Sequence, residues 1–357
     1  ARLSRELIKS IKSFLKTIST PLAVRSSGLL EDSQYQPLAG MYSTFMLPNS
    51  SDSEKERLSQ VCEAIKRIYA STFFKAPKTL LSQFVQHHEE EKMAIIIMEM
   101  TGKNHTEKFY PSFSGVAQSY NYYPVSHMKR NQGIAFVALG LGKTIAEGKK
   151  SLRFSPYYPD IISQYYSSGT LLENSQNEFY ALNLNKGINP MDNGEEHNLC
   201  LYNLDIAEKD GELKYLASVL DTNDNVLRDS LLSSGPRVLT FSGLLKYNHF
   251  PLSDILKYFL EFGEKSLGCP VEIEFAVNLN EKSKDEFSLL QIKPMTINSF
   301  NRSIIDNDIN NDRLFCKSNV VLGEGLINDV YHIIYVDLDK FDISQSKIIA
   351  YQIEELN

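Results

Sequence analysis

Glu272-Ile273-Glu274-Phe275, followed by Leu289-Leu290-Gln291-Ile292-Lys293-Pro294, reads as a pair of strands with chemistry on one face. Successive side chains of a strand point to opposite sides, so Glu272 and Glu274 share one face, as do Gln291 and Lys293. Far upstream, Ala23-Val24-Arg25-Ser26-Ser27 ends an apolar step on an arginine. The chain then enters Leu38-Ala39-Gly40-Met41-Tyr42-Ser43-Thr44, rich in glycine and hydroxyls. Such a loop offers backbone N–H groups and hydroxyls to phosphate oxygens, with a guanidinium beside them. Cations for phosphate and hard oxygen donors for magnesium are the two requirements of a phosphoryl-transfer site.

Three sequence features stand in one order: the Arg-Ser-Ser loop ending in Ala-Gly, the Gly140-Leu141-Gly142 turn with Gly148 beyond it, and the acidic and Gln-x-Lys-Pro strands. Together they resemble the N-terminal ATP-binding domain of phosphoenolpyruvate synthase and pyruvate phosphate dikinase, over about residues 20 to 298. The resemblance implies an α+β chain with an ATP-grasp-like, two-lobed nucleotide-binding domain and the start of a further α/β unit at the C-terminus. Residues 1–100 would form the first lobe, 101–298 the second, and 299–357 a linker and partial unit.

The same resemblance assigns Arg25 and Lys293 to the ATP phosphates as the catalytic cations. It gives Ser26, Gly40, Met41, Tyr42 and Ser43 to the phosphate loop and its flap, Glu99 and Met100 to the adenine hinge, and Glu272 to the nucleotide. Glu274 and Gln291 would hold Mg²⁺. Family members usually carry Gln at the position of Met41, Glu at those of Ser43 and Lys143, Asp at that of Glu272 and Arg at that of Lys293. They also carry a Gly-Gly-Lys loop upstream of the arginine, which this sequence lacks. ATP in such enzymes phosphorylates a histidine on a swivelling phosphocarrier domain, which serves a pyruvate-binding domain. None of the seven histidines has the Gly-x-Thr-x-His setting of that carrier. The expected activity is therefore that of the ATP-binding part of a kinase, inactive in isolation, with its histidine and pyruvate domains elsewhere in a parent protein or in trans. Two other readings stay open: a non-catalytic module that senses nucleotide or mediates contacts, and an ATP-grasp ligase.

Composition narrows the classes. At 357 residues the chain exceeds one ordinary core, so more than one lobe is expected. A net charge of −7, with basic residues scattered or in short pairs, argues against nucleic acid or an anionic membrane as the main partner. No apolar run approaches a membrane span. Cys62, Cys200, Cys269 and Cys316 are widely spaced with no C-x-x-C pair, as in a reduced cytoplasmic protein. The first residue is Ala1, which suggests a piece of a longer chain.

Periodicity supplies the elements. Leu7, Ile8, Ile11, Phe14 and Leu15 recur at helical spacing. Ser53 with Glu56 three residues on forms a capping-box pattern that opens a second helix to Phe74. Leu80 to Gln86 and Met93 to Met100 read as strands around a charged hairpin, and Ile95-Ile96-Ile97 as a strand buried on both faces. Ile134 to Leu139 is another strand, and Ser253 to Ser266 a helix with Ile255, Leu256, Phe259, Leu260 and Phe262 inward. Ile333-Ile334-Tyr335-Val336 is expected as a strand of the last unit. Gly140-Leu141-Gly142-Lys143-Thr144 is not a P-loop, because Val137 stands where that motif needs its first glycine.

Overall fold

The computed structural model describes residues 2–28, 42–74, 93–125, 127–162, 164, 168–185, 191, 194, 197–222, 224, 226–280, 283–295, 315, 331–337 and 339–356. The expected strand at 80–86, its hairpin, and the linker at 299–313 fall outside these residues. Contacts divide the chain into two units, Ala1–Ile297 and Asn298–Asn357.

The first unit is a mixed α/β structure built on antiparallel sheets. Helices α1 (Arg5–Thr17) and α2 (Glu54–Ser71) accompany a three-stranded sheet of β1 (Leu22–Gly28), β2 (Thr44–Leu47) and β3 (Met93–Glu99), with β1 in the middle. Leu22, Val24, Phe45 and Leu47 pack with Ile11 and Leu15 of α1 and Val61, Ile65 and Ile68 of α2 in one hydrophobic cluster. The intervening residues of β1, Ala23, Arg25 and Ser27, are half-buried on the other side. Ser4 caps α1 by accepting from the Leu7 amide at 3.1 Å.

Helix α2 begins as its capping pattern predicts, with Ser53 Oγ accepting from the Glu56 amide at 3.3 Å. The reciprocal bond does not form. The Glu56 carboxylate takes the Ser51 hydroxyl at 2.7 Å, and the Ser53 amide donates to Ser51 Oγ. Strand β3 also departs from expectation, because it alternates: Ile95 and Ile97 pack on the core while Ile96 is 44% exposed.

The larger part of the unit contains β4 (Lys103–His105), β5 (Lys108–Tyr110), β6 (Phe113–Gln118), β7 (Ile134–Leu139), α3 (Lys143–Ala146), β8 (Leu152–Phe154), α4 (Ser168–Asn174), β9 (Glu178–Asn183) and β10 (Leu199–Asn203). It continues through α5 (Leu204–Lys209), β11 (Ala217–Asp221), β12 (Val226–Arg228), β13 (Arg237–Leu239), α6 (Ser242–Leu245), α7 (Leu252–Leu267), β14 (Val271–Asn278) and β15 (Glu286–Pro294). A five-stranded sheet has the order β15-β14-β6-β7-β8; smaller sheets run β10-β9-β5-β4 and β12-β11-β13.

One apolar face of the five-stranded sheet is covered by α7, which buries Leu252, Leu256, Leu260 and Gly263 along a single stripe. A Cβ at Gly263 would stand 2.6 Å from Ile292 and 2.9 Å from Val271, so the missing side chain lets the helix lie close on β14 and β15. Phe262, expected inward, is 56% exposed, one residue off that stripe. Gly268 ends the helix in the left-handed region, its amide bonded to Glu264 O at 2.8 Å.

In the second unit, helix α8 (Ser346–Leu356) is present, but residues 331–337 form no strand. Ile333, Ile334 and Tyr335 are each more than half exposed. A run that is apolar on both faces makes a strand only between partners, and the described residues of this unit supply none.

Candidate functional site

Strand β14 carries the alternation that its sequence announced. Val271, Ile273 and Phe275 are buried, whereas Glu272 and Glu274 face the other way, half-exposed. Antiparallel pairing then sets specific neighbours on that polar face. Glu272 lies directly opposite Gln118 of β6 on one side and Lys293 of β15 on the other. One pair further along, Glu274 lies between Val116 and Gln291. Residues directly opposed in an antiparallel pair have their Cβ atoms about 5 Å apart, so each row is a set of touching side chains.

A β-bulge keeps these rows intact. The register shifts between Glu274 and Phe275: Glu274 opposes Gln291 but Phe275 opposes Leu289, leaving Leu290 as the extra residue. Gln291 and Lys293 thus hold the acidic face, while Phe287 turns to the apolar side and stacks on Phe275 with ring centroids 5.2 Å apart. Bulges commonly re-aim side chains in this way next to functional sites. The doubled Leu289-Leu290, which interrupts the alternation, is the mark of it in the sequence.

The side chains close into a charged network. Lys293 Nζ is 2.8 Å from Glu272 Oε1 and 3.7 Å from Glu274 Oε1. Gln118 Nε2 donates to Glu272 Oε2 at 2.6 Å. From the three-stranded sheet, Arg25 donates through Nη2 to Gln291 Oε1 at 2.7 Å and stands 3.6 Å from Glu274 Oε2 through Nη1. Two cations, two carboxylates and two amides from separate sheets therefore meet at one place. Each keeps some exposure: side chains of Arg25 and Lys293 are 23% and 20% accessible.

Other residues singled out in the sequence lie around this centre or apart from it. Ser26 is buried on the face of β1 opposite Arg25, and it is Ser27 that shares the arginine's side. Tyr42 is buried, and the Ser43 amide donates to Ser71 Oγ at 3.4 Å. Gly40 and Met41 lie outside the described residues. At the end of β3, Glu99 accepts from Thr20 Oγ1 at 2.7 Å, and the Met100 amide is committed to Pro21 O at 2.9 Å.

The glycine turn after β7 is shaped by close approach. Gly140 has φ +79°, and a Cβ there would stand 2.7 Å from Tyr180 O. Just beyond it, Lys143 lies 3.1 Å from Glu147 Oε1, Lys149 lies 3.0 Å from Oε2, and Tyr180 Oη donates to Oε2 at 2.7 Å. Burial works to raise the Glu147 pKa, but those three donors outweigh it and hold the carboxyl down to about 2.

A cavity of about 340 Å³ lies elsewhere, lined by Lys103, Asp210, Glu212, Lys214, Tyr215 and Asn280, and contains none of these residues. Its acids are taken up by internal partners, so the chemistry rather than the volume locates the candidate site.

The donor set suits magnesium in kind. Glu274 and Gln291 offer a carboxylate and an amide oxygen, the hard ligands that ion takes. No group of three His, Cys, Asp or Glu side chains able to hold a metal occurs among the described residues. An ion bound here would complete its shell with phosphate and water, as Mg²⁺ usually does.

The family model for the pyruvate phosphate dikinase AMP/ATP-binding domain matches residues 1–312. The chain belongs to that family, and as such is an ATP-binding, kinase-type domain. No curated protein matches the sequence. The structure brings together Arg25, Glu272, Glu274, Gln291 and Lys293, all singled out in the sequence, and adds Gln118, whose place depends on the β6–β14 register.

Proposed function

We propose that this chain binds ATP with Mg²⁺ in an ATP-grasp-like, two-lobed arrangement and presents its polyphosphate for phosphorylation of a histidine on a separate domain. The observation that carries the reading is the meeting of Arg25 with Glu274 and Gln291 beside Lys293. Phosphoryl transfer asks a protein mainly for positioning and charge neutralisation. Arg25 supplies a planar fork of N–H donors that matches phosphate oxygens, and Lys293 a compact charge. Bound magnesium supplies further neutralisation of the polyphosphate, with Glu274 and Gln291 as its protein ligands. The two carboxylates keep both cations paired until the more highly charged nucleotide arrives. The pyruvate-binding domain is a partner of the same proposal. A cytoplasmic location accords with the unpaired thiols of Cys62, Cys200 and Cys269. No helix among the described residues is long and apolar enough to cross a membrane.

A second reading, a nucleotide-sensing module without turnover, draws on the same ion pairs, because Arg25, Lys293 and Lys143 all have carboxylates within 4 Å. Calorimetric titration with ATP and Mg²⁺, followed by phosphoryl transfer to a supplied phosphocarrier histidine domain, separates the two. ATP binding that Arg25→Ala abolishes, with label appearing on histidine, supports the kinase; binding without transfer supports the sensor. The absence of any heat would end both.

A further inference from the structure

We propose that Gln118 is a positioning residue of the triphosphate site, fixing Glu272 and through it the ammonium of Lys293. The inference rests on the ATP-binding reading above and extends it to a residue on a third strand. Gln118, Glu272 and Lys293 form one cross-strand row over β6, β14 and β15. Within that row each oxygen of Glu272 has its own donor: Oε2 takes the Gln118 amide at 2.6 Å and Oε1 the Lys293 ammonium at 2.8 Å.

The chemistry of the row is directional. A carboxylate only accepts and a side-chain amide donates through nitrogen, so the contact fixes which way both groups point. Gln118 is itself well anchored, since its backbone pairs with Glu272 on one side and Ile134 on the other. A Cβ at the neighbouring Gly133 would stand 2.6 Å from Gln118 O, so the turn that follows presses on the same residue.

Lys293 needs this support because an ammonium is a point charge on a flexible stem. It lacks the planar fork with which an arginine fixes its own geometry on phosphate. Its position is therefore set by the acids it pairs with, Glu272 and Glu274. Without the Gln118 amide, Glu272 is released to rotate, carrying the ammonium with it. The row offers an amide, a carboxylate and an ammonium, so in the proposed site the cost is expected to fall on the charged phosphates more than on the adenosine.

The test is calorimetric titration of the full chain with ATP and with AMP, in the presence of Mg²⁺, for the wild type, Gln118→Leu and Gln118→Glu. Gln118→Met, which keeps length without the amide, is the companion should Gln118→Leu fail to fold. Loss of one hydrogen bond to a charged group corresponds to about tenfold in affinity. Gln118→Leu is expected to weaken ATP by about that factor while leaving AMP within about twofold. Gln118→Glu places a second carboxylate against Glu272 and is expected to be worse than Leu. In a Lys293→Met background, Gln118→Leu should add no further loss, because the group it positions is gone. Unchanged ATP affinity, an equal loss for AMP and ATP, or a full loss in the Lys293→Met background would each overturn the inference while leaving the ATP site in place. A wild-type chain that binds no ATP would take both down together.

Discussion

Arg25 and Gln291 are 266 residues apart in sequence and 2.7 Å apart in space, joined by a guanidinium-to-amide hydrogen bond between two sheets. The contact is not explained by stability alone. An arginine retaining a fifth of its surface, paired with a carboxylate at 3.6 Å, gains little from solvent-screened attraction. Its value lies in direction, because the fork is already aimed at the acidic strand pair before any ligand arrives.

Replacing Arg25 by Met should therefore separate binding from folding. Unfolding free energy is expected to fall by no more than about 1 kcal/mol, the range of partly exposed ion pairs. ATP affinity should fall by about 10- to 100-fold, the equivalent of lost charge-assisted hydrogen bonds. Urea denaturation and calorimetry on the same samples check the two figures. A large stability loss would show that Arg25 serves mainly to join the sheets.

Of two glycines in the central sheet and its turn, one should resist alanine and the other should tolerate it. At Gly115 a Cβ would fall 2.1 Å from the Phe275 ring and 2.8 Å from Phe136 O, against backbone that cannot move without breaking the β6–β7 ladder. Gly115→Ala is expected to cost about 2–3 kcal/mol through overpacking. At Gly142 the nearest atom is Ser114 Cβ at 3.7 Å and φ is −59°. Gly142→Ala should stay within about 0.5 kcal/mol of wild type by thermal melting, as unstrained surface changes do. Any loss of ATP affinity in this second variant then reports on ligand approach to the turn.

Much of this arrangement was readable in the sequence, for reasons that can be named. Leu22 to Val24 and Ile134 to Leu139 read as strands from their apolar content, and the alternation at Glu272 to Phe275 betrays its faces through side-chain period. The ordered family features then tie Arg25 to the acidic strands, a link that no local pattern contains. What escaped was pairing. Gln118 is one polar residue at the end of a strand until the β6–β14 register sets it against Glu272. Leu290 looks like core until its bulge is seen. The exposed Ile96 and Phe262, and the missing strand at Ile333 to Val336, fail for a related reason: hydrophobicity shows that a face can be buried, not that a neighbour exists to bury it.

The N-terminus of α2 offers a local check on how helices start here. Ser53 Oγ accepts from the Glu56 amide at 3.3 Å, while Glu56 itself bonds to Ser51. Ser53→Ala should destabilise by about 1 kcal/mol, the usual cost of a lost N-cap. Glu56→Gln should cost about 0.5 kcal/mol or less, because its partner is an exposed hydroxyl and not the capping amide. Equal effects in chemical denaturation would mean that the reciprocal box forms in solution.

Glu212 should impose an acid limit on folding. Its side chain is 5% exposed and lies within 3.3 Å of His105 Nε2, accepts from Ser112 Oγ at 2.6 Å, and pairs with Lys103. Burial acts to raise its pKa, but His105, Lys103 and Ser112 together outweigh burial and leave it lowered from 4.5. A folded-state value below the unfolded one means that the charged form is the stabilising one. The contribution is complete above the ordinary carboxylate range and disappears as pH falls through the depressed value. Glu212→Gln is expected to lose about 3 kcal/mol near neutrality, the cost of breaking a buried pair and stranding Lys103. That deficit should narrow steadily as urea midpoints of mutant and wild type are compared on acidification from pH 6, because the native carboxyl takes up its proton only below the ordinary carboxylate range. A deficit that stays constant over this range would show that Glu212 acts through packing and not through its charge.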